Sequence, residues 1–100
     1  MREVFHPKAE DLNLSRVLDA LSDPVRLNIV RRLAAEGELT CGALGADRPK
    51  SSMSHHFRTL QAAGVIHTRV EGTNHLNSLR KADLEKRFKG LLAVVLRSKE

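Results

Sequence analysis

Apolar residues recur along the first two thirds of the chain at helical spacing and then switch to alternation. Leu14, Val17, Leu18 and Leu21 form one stripe and predict a helix from Asp11. Ser22-Asp23-Pro24 ends it and starts another, because Asp23 can cap free N–H groups and Pro24 suits the first helical position. Ile29, Val30 and Leu33 make the stripe of that second helix, with Arg26 on its edge, and Gly37 closes it. Leu39, Ala43 and Leu44 suit a brief third helix that Gly42 and Gly45 weaken. Residues 45–50 turn into a fourth helix, which starts either with Pro49 in its first position or with Ser51 as cap. Met53, Phe57 and Leu60 share its buried face, and Gly64 suits the left-handed residue after its end. Residues 65–70 alternate and are rich in branched side chains, as a strand should be. A turn at Glu71-Gly72-Thr73-Asn74 leads to a weaker return strand, residues 75–79. One last helix is predicted from Arg80, its stripe of Leu84, Phe88, Leu91, Leu92 and Val95 widened by Val94 and Leu96.

The order helix, helix, helix, helix, strand, strand, helix predicts a mainly α protein with a small β-hairpin, a winged helix-turn-helix. Residues 1–10 are expected to form a flexible arm, and residues 11–100 one domain. A terminal helix this apolar in so small a chain calls for burial against a second copy. The expected dimer interface is therefore the first and last helices, through Leu14, Leu18, Leu84, Phe88, Leu91, Leu92 and Val95.

The fourth helix carries the most informative surface. At about 100° per residue, Ser51, His55, Arg58 and Ala62 point away from Met53, Phe57 and Leu60. That face holds small residues, hydroxyls, an imidazole and a guanidinium, and no acid. Such a face can enter a major groove, where Arg, Ser and His bond to base edges. The hairpin behind it makes a wing.

Composition narrows the partner. Lys and Arg number 17 against 12 Asp and Glu, a net charge of +5, so an acidic partner is expected. Nucleic acid and an anionic membrane surface both qualify. No apolar run is long enough to span a bilayer and there is no secretory h-region, so membrane insertion and export are not expected. The lone Cys41 rules out an intramolecular disulfide and fits a reducing, cytoplasmic interior. Three Phe with no Trp or Tyr argue against the stacking platforms of single-strand binders. There is no Gly-rich phosphate loop, nucleophile elbow or HExxH, so neither an enzyme nor a cofactor is expected. Adjacent Ser54 and His55 do not aim at each other along a helix.

With these elements in place, the chain resembles the ArsR/SmtB family of bacterial transcriptional repressors. The resemblance covers residues 14 to 96. It is carried by LSDPVRLNIVRRL (Leu21 to Leu33), ELTCGAL (Glu38 to Leu44), KSSMSHHFRTLQAAGVI (Lys50 to Ile66) and TRVEGTNHLNSL (Thr68 to Leu79). It implies a homodimeric winged helix that occupies a palindromic operator and is released by an inducer. By resemblance, Ser54, His55 and Arg58, with Ser51 and Lys50, fall on the recognition helix, and Arg69, Thr73, Asn74 and His75 on the wing.

The sequence departs from the family's metal sensors. Those often carry a Cys-x-Cys pair in the third helix, where Thr40 and Gly42 stand here. A second site type uses Asp and His on the last helix, and residues 81–100 contain no His. No metal site is expected. Cys41 reads as a small buried hydrophobe, and a site joining His6 to Cys41 of another subunit is a minor alternative. His67 and His75 facing each other across the hairpin is another weak arrangement. His56 reads as a structural histidine, Arg26 as a structural ion pair, and Arg31-Arg32 as solvated cations. The rival functions are a winged-helix module that binds another protein, and a metal- or thiol-responsive member of the same family. The chain names no effector.

Overall fold

A computed structural model describes residues 4–98. Helix α1 (Leu14–Leu21) opens with the Asn13 side chain accepting from the Arg16 N–H. Helix α2 (Pro24–Glu36) opens with Asp23 Oδ1 accepting from the N–H groups of Val25 and Arg26 at 2.8 and 3.2 Å. Pro24 stands where no N–H is needed. Strand β1 (Leu39–Thr40) runs into α3 (Cys41–Leu44), where Thr40 Oγ1 accepts from the Ala43 N–H. Helix α4 (Lys50–Ala63) has Pro49 in its cap position and Ser51 inside its first turn. It ends at Gly64, whose φ of +82° only glycine adopts readily. Strands β2 (Ile66–Glu71) and β3 (Asn74–Leu79) form the wing, followed by α5 (Lys81–Arg87) and α6 (Leu91–Arg97).

Val17 and Ala20 of α1, Ile29, Val30 and Leu33 of α2, and Leu60 of α4 meet in the core. Each buried Leu, Ile or Val contributes about 1.5–3 kcal/mol. The α3–α4 pair is the helix-turn-helix, and this packing fixes how α4 is presented. The antiparallel sheet has the order β1-β3-β2, with Thr68 opposite Asn77 and Asn77 also opposite Leu39.

Three features differ from the sequence expectation. The wing has a third strand, β1, where the start of a helix was expected; two residues are too few to show a period. The expected single terminal helix is broken at Gly90, with φ +88°. Its apolar spacing continues through the break, which hides it. Leu84 and Leu92 are 1 % and 6 % exposed and fill this chain's own core. They are therefore not surface for a second copy, and the expected dimer interface is corrected at these two positions. Phe88, Leu91 and Val95 pack against that core partly buried. Among the described residues, the large apolar side chains left exposed are Leu14 and Leu18 of α1, Val94 of α6, and Phe5.

Third, the expected flexible arm is docked over the part that is described, while residues 1–3 lie outside the described range. Leu12 is buried, and the Arg80 guanidinium donates to the Pro7 carbonyl at 2.8 Å. Among the described residues no helix is long and apolar enough to cross a membrane.

Candidate nucleic-acid interface

Burial of Met53, Phe57, Leu60 and Ala63 turns the opposite side of α4 outward. Lys50, Ser51, Ser54, His55 and Arg58 are all exposed. The side chains of Lys50 and Arg58 form no ion pair or hydrogen bond among the described residues, so their donors are open to a ligand.

A cleft of about 560 Å³ lies between α4 and the wing. It brings Lys50, Ser54 and Arg58 together with Thr73, Asn74 and His75 from the hairpin turn and β3. Ser51 and His55 lie on the outer face of α4, beside this cleft and not in it. Arg48, on the loop before α4, also lines the cleft and was not anticipated. A basic residue in the turn of a helix-turn-helix was the available signal.

Arg69 is placed differently. It is half-exposed on β2, but its Nε and one terminal nitrogen donate to the Glu38 carboxylate at 3.2 and 3.0 Å. The other terminal nitrogen donates to Glu71 at 2.8 Å. These bonds, the Glu38 pair foremost, raise its pKa further. The guanidinium expected on the wing as a DNA contact is thus shared between two carboxylates.

A buried network joins wing to helix. Thr68 Oγ1 donates to Asn77 Oδ1 at 2.6 Å and accepts from Gln61 of α4 at 2.9 Å. Asn77 Nδ2 lies 3.3 Å from the Leu39 carbonyl and 3.2 Å from Cys41 Sγ. No buried side-chain nitrogen or oxygen among the described residues is left without a partner, so the network is closed. It ties both long strands of the wing to α4.

The remaining candidates also find places. Arg26 donates to the Ala20 carbonyl at 2.7 Å and to His56 Nδ1 at 3.2 Å, tying α4 to the end of α1. It makes hydrogen bonds to a carbonyl and an imidazole where an ion pair was expected. Arg31 donates to the Ser98 carbonyl, and Arg32 to Glu36 and the Ala43 carbonyl, so both are internally engaged. Burial raises the pKa of the Cys41 thiol, with the Asn77 contact opposing, which disfavours a reactive thiolate. His67 pairs across the wing with Ser78, and His75 with Val70, so the two imidazoles do not face each other. Among the described residues no three His, Cys, Asp or Glu side chains gather as metal ligands.

A two-helix turn that offers uncommitted cations and hydroxyls on its second helix, backed by a hairpin closing the same cleft, defines a winged helix-turn-helix DNA-binding protein. Comparison with known proteins agrees. The family model described as "Helix-turn-helix domain" matches residues 21–69. The uncharacterized HTH-type transcriptional regulator YceK of Bacillus subtilis (strain 168) is 35% identical over 88 residues, covering 85% of this chain and 88% of the relative. The homodimeric winged helix-turn-helix DNA-binding domain Mb0332 of Mycobacterium bovis, a possible ArsR-family regulator, superposes with TM-score 0.64 at 27% identity, covering 82% of this chain and 76% of that one. The transcriptional repressor BigR of Xylella fastidiosa superposes with TM-score 0.60 at 28% identity, covering 75% and 85%. The chain belongs to the ArsR family of winged helix-turn-helix transcriptional regulators, a family that acts on DNA and not by catalysis.

Proposed function

We propose that this protein is a homodimeric, cytoplasmic repressor that reads a palindromic duplex operator. The observation that carries the proposal is the acid-free outer face of α4, where Lys50 and Arg58 are uncommitted beside the wing tip. His55, Arg58, Ser51 and Ser54 contact base edges in the major groove. Lys50, with Thr73, Asn74 and His75, contacts the sugar-phosphate backbone and fixes register. Arg69 belongs to this surface as a brace between the wing and Glu38, its charge largely neutralised.

Dimerisation is supported by the exposed Leu14, Leu18 and Val94, and the similar Mb0332 domain is described as homodimeric. Leu91 and Val95 extend the α6 patch, and Phe88 lies at its edge. Two-fold symmetry sets the two recognition helices about 34–36 Å apart, one duplex turn. Repression follows from occupying a promoter, and the similar BigR is described as a repressor.

The test is selection of bound duplexes from random DNA by the purified protein. A palindrome with half-sites one helical turn apart is expected. Recovery of unrelated sequences with equal affinity contradicts the proposal. A Leu18→Asp variant is expected to elute as a monomer and to lose affinity for the selected palindrome.

A further inference from the structure

We propose that His6 is a positioning residue for the wing, acting as a neutral hydrogen-bond acceptor at the outer edge of β2, so that acidification releases the N-terminal strap and weakens duplex binding. The second half rests on the proposed role of the wing in binding DNA.

The sheet order leaves β2 with one free edge. N–H groups on that edge need a partner outside the sheet. Thr68 finds one in His6, donating from its backbone N–H to the imidazole Nε2 at 2.9 Å. Thr68 is no ordinary strand residue. Its side chain is the centre of the buried network that joins Gln61 of α4 to Asn77 of β3. His6 thus holds the backbone of the residue that ties the wing to the recognition helix.

The strap is fixed on both sides of His6. Val4 lines the cleft between α4 and the wing, together with Arg58 and Asn74. Pro7 accepts from Arg80, and Leu12 is buried. Pro7 and Leu12 both pack over Gly64, the hinge between α4 and the wing.

A backbone N–H can only donate, so Nε2 must offer a lone pair. A protonated imidazole has none. The surroundings also oppose protonation. The His67 ring stacks on His6 with centroids 4.3 Å apart. Arg80 approaches from the start of α5, held by Asp83 at 3.0 Å, and Lys81 lines the same cavity. On the other side Lys8, Asp11 and Arg16 of α1 border the strap, and α4 contributes only Ala62 and Ala63 there. Burial lowers the His6 pKa below the ordinary 6.5, with His67 and then Arg80 adding to it. A depressed folded-state pKa means that docking is fully favoured above the ordinary histidine value and lost as pH falls through the lowered one.

Two substitutions separate the acceptor from the titration. His6→Gln keeps an acceptor oxygen and cannot titrate. His6→Leu removes the acceptor at every pH. The first readout is the hydrogen-exchange protection factor of the Thr68 amide. From about pH 8 to about pH 5.5 the wild type is expected to lose protection by roughly tenfold relative to His6→Gln, while His6→Leu is low throughout. Wild-type protection that parallels His6→Gln, or persists in His6→Leu, overturns the proposal.

The second readout is affinity for one duplex. The ratio of wild type to His6→Gln is expected to fall about three- to tenfold over the same range. Comparing the two proteins cancels any pH dependence of binding that does not involve His6. A flat ratio beside the expected amide behaviour overturns the coupling of strap to DNA. Absence of duplex binding by every variant at pH 8 instead defeats the proposed function, and the amide readout alone then decides whether His6 holds the wing.

Discussion

Two regions of one surface carry cations in opposite states. On α4, Lys50 and Arg58 are exposed and make no ion pair among the described residues. On the wing, Arg69 is gripped by Glu38 and Glu71. Formal charge alone counts all three as equal. Binding treats them differently, because an unpaired cation gains a partner from a phosphate or base, while a paired one must first exchange the partner it has. Under the proposed function, helix α4 contacts the duplex and the base of the wing holds a shape.

The joint between the two regions is the most sensitive point. A Cβ at Gly64 collides with the Leu12 side chain, and φ of +82° is strained for any other residue. Gly64→Ala is expected to cost about 2–5 kcal/mol in chemical denaturation, the sum of a left-handed alanine and a displaced core leucine. Affinity for every duplex should fall with it.

Removing a bond of the buried network that ties the wing together should cost less. Asn77 is fully buried and accepts the Thr68 hydroxyl proton. Asn77→Ala leaves that hydroxyl without its acceptor, at a cost of about 1–3 kcal/mol measured by the same denaturation. Loss of wing contacts should then appear as weaker binding with the sequence preference of α4 retained.

The smallest expected effect sharpens the contrast from the other side. Glu71→Gln frees part of Arg69 without touching α4. Its salt dependence of duplex binding should steepen by up to about one unit of slope, equally for operator and scrambled DNA. An unchanged slope would mean that Arg69 faces no phosphate even when released.

The helix half of this contrast was legible in the sequence. Met53, Phe57 and Leu60 fix which side of α4 is buried, and residue identity does the rest. Asp23-Pro24 and Gly64 marked their boundaries because each solves a local backbone problem. The wing half was legible only in outline. Arg69 reads as a free cation until the fold brings up Glu38, 31 residues away in sequence. His6 sits in an extended segment with no period, and its partner is a backbone N–H that leaves no mark in sequence. Gly90 was a stop signal, but Leu84, Leu91 and Val95 keep helical spacing across it and concealed the break.

Under the proposed function α4 reads sequence and the wing does not. Operator and scrambled duplex affinities of the wild type, His55→Ala, Arg58→Ala and Arg69→Ala across a salt series decide this. Both helix variants are expected to lose operator preference by about 1–3 kcal/mol per base-edge contact. Arg69→Ala is expected to weaken both duplexes by similar factors. Thermal stability should change little in the two helix variants, since those side chains are exposed. If both helix variants keep the wild-type ratio of operator to scrambled affinity, α4 is not the reader and the account fails.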